Sequence, residues 1–387
     1  VFGNGRTSVR VSGGIGYDYP DGQFHLWTSL NPPFGADVLV EGATLDNPWA
    51  TFPGGRTHPV DTTDANIGFP QFGRMQGMDD SVRSSQTQNW NLALQQQVGN
   101  DWLASATYIG SHTINLVQGA PGNPSIYFPG VSDANGVCTT SEPGGVLIPA
   151  GTYTLTGVRA GSTCSTNGTR NNRRLLYQLN PAEGIAVGAL SITQSGGTSN
   201  YNGLLVSMQR RAATGININT NYTWSHCISQ WADSGFGGTG FNGDNVYQDQ
   251  NSRDRSRGNC TQDRRHNFTF TTVARTPEFA NAGLRAVASD WSLSVIYRAN
   301  SGSYLTIENG TNDNARNGVA PGDQFGNYLG GDPTLDDGPN SQYLNKAAFA
   351  PAAIGTLGNL GTRSVRGPRQ WDFDVSLART FDLGETQ

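Results

Sequence analysis

Residues 215–227, GININTNYTWSHC, put Ile216, Ile218, Tyr222 and Trp224 on one parity and Asn217, Asn219, Asn221 and Ser225 on the other. Successive side chains of a strand point to opposite faces, so this spacing predicts a strand with one apolar and one polar face. The alternation recurs along the chain. Residues 7–17 carry Val9, Val11, Ile15 and Tyr17 opposite Arg10 and Ser12, and residues 88–98 carry Trp90, Leu92, Leu94 and Val98 opposite Asn89, Asn91 and Gln95. Residues 101–110 carry Trp102, Ala104, Ala106 and Tyr108, with Leu103 and Ile109 blurring the pattern, and residues 201–211 carry Leu204, Val206 and Met208. Residues 264–275 carry Phe268 and Phe270, residues 290–300 carry Trp291, Leu293, Val295 and Tyr297, and residues 371–382 carry Trp371, Phe373, Val375, Leu377 and Phe381. These segments match the roughly 9 to 11 residues that a tilted strand needs to cross a bilayer. Strands of soluble domains cluster near about 5 to 6. The aromatics sit near strand ends, as an interfacial girdle requires: Tyr17, Trp90, Trp102, Tyr108, Trp224, Trp291 and Trp371.

The connections between these segments are sorted by length. Gly99, Asn100 and Asp101 close one hairpin, and residues 212–215 close another. Residues 18–87, 111–200, 227–263 and 301–370 are long, and the segment 276–289 falls where a short turn is due. If successive strands are antiparallel, every long loop lies at one end of the sheet. Outer-membrane barrels show that asymmetry, and a sandwich or propeller has no reason to. The strand 215–227 then runs from its short turn toward the long-loop side.

Composition agrees with many strands and irregular loops: among 387 residues there are 51 Gly and 19 Pro, with only 14% charged. The 25 Lys and Arg are scattered and the net charge is -5, so no basic stripe suggests a nucleic-acid partner. Mean hydropathy is -0.45, and no run approaches a transmembrane helix. A transmembrane barrel keeps a polar average because only every second residue meets lipid. The first residues have no basic and apolar leader pattern, so a removed signal or a start partway through a longer protein is expected. Cys138 and Cys164 share one long loop, and Cys227 and Cys260 bracket another. Four cysteines allow three pairings; sequential pairing needs only local closure and suits an oxidising compartment. A metal site lacks the required CxxC or Cys/His spacing.

The runs FGNGRTSVRVSGGIGYD, QTQNWNLALQQQVGNDWLASATYIGSH, SNYNGLLVSMQRR, NTNYTWSH, DRRHNFTF and LNKAAFAPAAIGTLGNLGTRSVRGPRQWDFDVSLARTF resemble, in order, the barrel of Oar-like TonB-dependent receptors. The resemblance implies an outer-membrane barrel of a Gram-negative bacterium, of about 22 strands, with a plug and energy supplied through TonB. Residues 1–387 are expected to form part of that one barrel domain, an all-β antiparallel wall of about eight to ten strands with long extracellular loops. Plug and TonB-contacting segments are expected elsewhere, since none is seen here and the chain ends in FDLGETQ rather than on a terminal aromatic. The strands 7–17 and 371–382 are then edges that do not pair with each other.

The sequence holds little that suggests catalysis, and no enzyme activity or cofactor is expected. GFGGTG at residues 235–240 has dinucleotide spacing but lies in a long loop without a flanking strand and helix. DNARNG, from Asp313, begins like a calcium loop, yet Ala315 replaces a ligand and Gln324 stands where the bidentate Glu belongs. Asp332, Asp336 and Asp337 suit a solvated loop better than a cation site. His226 and His266 lie at strand tops near Asp233 and Asp263, where interfacial hydrogen bonding suits them better than a triad. Trp231, Phe236, Phe241 and Tyr247 crowd the loop between Cys227 and Cys260. Either they form a stacking surface for an extracellular ligand or the loop packs on itself. Arg10, Asn217, Asn219, Asn221, Asp372 and Asp374 are expected to line the lumen and face a plug. The expected partners are outer-membrane lipid, the TonB complex through a plug, and an unidentified substrate taken up or exported. A structural or adhesive surface protein and a secreted β-rich carbohydrate-binding protein are the alternatives.

Overall fold

The computed structural model describes residues 5–19, 28–29, 31–32, 35, 40, 43–50, 69–141, 148–211, 215–230, 247, 249, 252–310, 313–319, 324–335 and 343–381. Eight long strands dominate: β1 (Thr7–Tyr17), β2 (Gln86–Val98), β3 (Trp102–Pro121), β4 (Val187–Arg211), β5 (Ile216–Ser229), β6 (His266–Arg275), β7 (Trp291–Asn300) and β8 (Gln370–Arg379). Each pairs antiparallel with its successor in the chain. Two short strands extend the sheet: Gly73–Met78 runs parallel to the start of β4, and Gly258–Asn259 pairs with the end of β5. Among the described residues β1 and β8 do not meet, so the sheet is an open, partial barrel wall.

Register carries the sequence pattern across the whole sheet. One row aligns Val9, Leu94, Ala106, Val206, Tyr222, Phe268, Ala299 and Trp371. The adjacent row, on the other face, aligns Ser8, Gln95, Ser105, Ser207, Asn221, Thr269, Arg298 and Asp372. The apolar rows are exposed, with Val11 at 75%, Leu377 at 62% and Trp371 at 66% of full accessibility. Contiguous apolar exposure on this scale needs a non-aqueous neighbour. Aromatics bound the belt at both ends. Trp102 and Trp291 lie near the short turns, beneath the guanidinium groups of Arg210 and Arg379, each 5.7 Å from the ring centre. Trp224, Trp90 and Trp371 lie toward the long loops, where the indole of Trp90 covers Gly110 and leaves no room there for a Cβ.

The short connections lie at one end. Gly99 and Gly215 supply the left-handed backbone of the first two, at φ 64 and φ 82. The third holds a helix, Ala282–Ala288, absent from the sequence expectation and capped by the Asn281 side chain accepting from Gly283 N (2.9 Å) and Leu284 N (3.2 Å). No helix among the described residues is long and apolar enough to cross a membrane. The opposite end carries the described residues of the segments 18–85, 122–186, 230–265 and 301–369. The sequence placed β3 at 101–110 and β4 at 201–211; both are longer. The added parts, such as Val117 to Pro121 against Ser195 to Ser191, stand beyond the apolar belt after an irregular step where Asn115 takes φ 58. Outside the belt no face must be uniformly apolar, so alternation did not mark them.

The buried apolar core lies in these long loops. Ile126, Phe128, Ile148, Tyr153, Leu155 and Leu175 pack around the disulfide Cys138–Cys164, whose Cα atoms are 6.0 Å apart. A hairpin of Cys138–Thr140 and Tyr153–Leu155 forms one side of this core. Arg173, fully buried, joins it to the last loop: Nη1 donates to the carbonyls of Ile126 (2.6 Å) and Arg316 (2.7 Å), and Nη2 to that of Thr166 (3.2 Å). Burial lowers Arg173 to about 10 and its neighbour Arg174 to about 9, so both stay cationic at neutral pH. The turn after Asp313 completes the joint. Asp313 accepts from Gln324 Nε2 (2.8 Å) and Gly318 N (3.1 Å), so Gln324 is a donor to the carboxylate, unlike the acceptor a calcium loop needs.

Two variants test this cap. Replacing Cys138 and Cys164 by Ser opens a closure of 26 residues, worth about 3–4 kcal/mol on loop entropy alone. Proteolysis within residues 122–186 is then expected to rise sharply while heat-modifiable gel mobility of the barrel is kept. Arg173→Ala strands the carbonyls of Ile126 and Arg316, at about 1–3 kcal/mol each. Amide exchange is expected to accelerate in residues 313–319 as well as near residue 126, whereas a purely local effect would spare the former.

Candidate functional site

All six side chains expected in the lumen share one face. Arg10 lies in the row of Thr107 and Thr223, Asn221 in the row of Arg298 and Asp372, and Asn219 in the row of Ile296 and Asp374. Asn217 follows one row nearer the short turns, beside Arg211 and Val273. The face is dense in hydrogen-bonding groups, and Ser105 and Ser207 hydroxyls lie 2.6 Å apart across β3 and β4.

Toward the long loops this face leads into a recess of about 620 Å³, lined by Tyr201, Thr223, Ser225, Asn267, Asp263 and Arg264 among others. The chain between Cys260 and β6 folds back over β5 to form it. Cys260 N donates to the Cys227 carbonyl (3.1 Å), Ser225 N to the Arg265 carbonyl (3.0 Å), and Cys227 N to Asp263 Oδ1 (3.1 Å). The disulfide Cys227–Cys260, with Cα atoms 5.3 Å apart, fastens the fold-back, so both bridges follow the sequential pairing. Asp263 is buried, at 4% exposure, and its Oδ2 has no hydrogen-bond partner. Burial raises the carboxyl against the opposing pull of the Cys227 N–H and of Arg265, His226 and Arg366. Arg264 Nη1 is likewise buried and unbonded. The wall of the recess therefore holds one carboxyl oxygen and one guanidinium nitrogen without hydrogen-bond partners, amid hydroxyls and amides. No group of three or more potential ligands suited to a metal occurs among the described residues.

The last loop seals the recess rim. Asn259 Nδ2 donates to the Arg363 carbonyl (2.9 Å), and Asn259 Oδ1 lies 3.2 Å from His226 Nε2. His266 Nδ1 is 2.7 Å from the Tyr222 hydroxyl, on the apolar face. Both histidines thus make the hydrogen bonds expected at strand tops. Of the four loop aromatics, Trp231, Phe236 and Phe241 lie outside the described residues, as does GFGGTG at 235–240. Tyr247 is described and buried, at 3% exposure, under the Arg253 guanidinium 5.4 Å away. Burial raises its phenol, and it belongs to the loop's own packing rather than to a ligand surface. Asp332 accepts from Thr334 N and Oγ1, both at 2.9 Å, which makes it a turn residue; Asp336 and Asp337 lie outside the described residues.

A family model described as "Outer membrane beta barrel domain" matches residues 1–387. The chain belongs to that family. Comparison with curated proteins and with solved structures found no match to either. Membership sets this barrel domain in the outer membrane of a Gram-negative cell. The exposed apolar rows of the barrel domain are therefore its face toward lipid, and the long loops carry both disulfides. An outer-membrane location displaces the reading of the chain as a secreted soluble protein.

Asp263 supplies a pH test. A carboxyl raised on folding means that the folded state binds the proton more tightly, so ionisation costs stability. Stability is expected to fall as pH rises from about 4, the unfolded value, through the raised folded value. Asp263→Asn keeps an oxygen for Cys227 N and removes the charge. Thermal unfolding in detergent between pH 4 and 8 should show the wild-type decline flattened in the variant; parallel curves would assign the recess another charge state.

Proposed function

We propose that this barrel domain is part of the wall of a TonB-dependent receptor of the Oar-like type, which moves an unidentified large substrate across the outer membrane, inward or outward. The observation that carries the reading is the lumen face, which has polar side chains from every one of the eight strands and leads at its outer end into the Asp263 recess beneath a folded cap. A closed barrel of about eight strands fills with its own side chains. Eight strands that do not close belong to a wider wall, and wide walls surround water or a plug. The opposed Arg298 and Asp372, with Arg10 and the asparagines, suit contact with a polar plug, through which the TonB complex would act. The role proposed is binding and passage, without catalysis, cofactor or nucleic acid. Trp231, Phe236 and Phe241 are the proposed stacking surface for the substrate.

A structural or adhesive role draws support from the cap, whose disulfide core and buried arginines make a rigid surface. Loss of TonB separates the two. For a receptor, deleting TonB and deleting the receptor should abolish accumulation of the same extracellular compounds. For an adhesin, surface attachment should follow the receptor gene and ignore TonB. Within the intact receptor, Trp231→Ala with Phe241→Ala is expected to lower uptake at least several-fold with barrel yield unchanged; unchanged uptake removes those two rings from the site.

A further inference from the structure

The lipid face carries a recess of its own, distinct from the lumen. It encloses about 1130 Å³ at the long-loop end of β6, β7 and β8. Its floor is Phe268, Tyr297, Ala299 and Trp371, all in apolar rows, with ring centres of Phe268 and Tyr297 6.1 Å apart. Its roof comes from the last loop. The Tyr343 hydroxyl donates to the Arg366 carbonyl (3.0 Å), and the Arg366 guanidinium donates to the Tyr304 hydroxyl (3.0 Å) while lying over that ring. Arg369, two residues before Trp371, completes the roof, and His266 lies at the side.

Two properties select the occupant. Among the described residues Arg366 and Arg369 line this space and no carboxylate does, so its described lining is positively charged. Below the cations the surface is aromatic and aliphatic, at the level where an aromatic girdle marks the passage from headgroup to acyl chain. A soluble anion has no use for that floor, and a neutral lipid has none for the roof. We propose that the recess binds an anionic amphiphile of the outer leaflet, with a headgroup phosphate held by Arg366 and Arg369 and an acyl chain lying along Phe268, Tyr297 and Trp371. Guanidinium groups suit this task because their planar fork matches two phosphate oxygens.

The test uses the full chain in neutral detergent, with bisphosphorylated lipid A as probe and native mass spectrometry as readout. One lipid A should bind per chain. Arg369→Gln, which leaves the Tyr304 contact in place, should weaken binding several-fold, and Arg366→Gln with Arg369→Gln at least tenfold. Lysine at both positions should restore most of it. Lipid A stripped of both phosphates should bind the wild type as weakly as intact lipid A binds the double Gln variant. Trp371→Ala should weaken lipid A at constant charge. Heat-modifiable mobility confirms that each variant is folded. Unchanged affinity in the folded double Gln variant or in Trp371→Ala would overturn the proposal. Displacement of lipid A by an equal concentration of inorganic phosphate would also overturn it, in favour of a soluble-anion site.

Discussion

Everything in this barrel domain depends on strand register. The ladder from β1 to β8 keeps residues of one parity together for eight strands, so Val9 and Trp371 end in the same row although the chain has crossed the sheet seven times between them. A slip of one residue at any step would turn every side chain of that strand to the other face. In β7 it would set Arg298 against lipid, a cost that reaches about 2–4 kcal/mol for an arginine at the bilayer midplane. Neither face can yield, because one meets hydrocarbon and the other water. That double demand explains why so polar a composition still specifies a unique sheet.

A consequence is the inverted placement of the core. A soluble domain hides its apolar residues between layers, whereas here the wall shows them outward and the tightly buried apolar side chains belong to the cap and the strand extensions that carry it. The cap must therefore supply its own means of folding in water. It does so with a small apolar cluster, two disulfides, and the arginines at positions 173 and 174, whose charges are met by backbone carbonyls.

The wall was legible in the sequence because lipid enforces periodicity. All eight strands appear where alternation placed them, and β1 does so to the residue. Alternation failed once that enforcement ended, as in the outer parts of β3 and β4, which pair beyond the belt. The helix Ala282–Ala288 was missed because seven residues hold barely two turns and no buried face. At the recess, sequence spacing marks Asp263 only as an acid near the strand-top histidines His226 and His266. Its burial goes with the fold-back between Cys260 and β6, and it shares the recess with Arg363, 100 residues downstream; no local pattern reports such a meeting. Tyr247 misled for the same reason: an aromatic in a Gly-rich loop looks available until Arg253 is found lying over it.

The Arg173 joint ties the loop between β3 and β4 to the loop between β7 and β8, spanning 143 residues of sequence. Between those loops the wall has β5 and β6, and the distance across them is thus set twice, once by the ladder and once by the strap above it. A sheet held only by its ladder can flatten or tighten by small changes at each strand pair. With its rim strapped, any change of curvature in this part of the wall also strains the Arg173 hydrogen bonds above it.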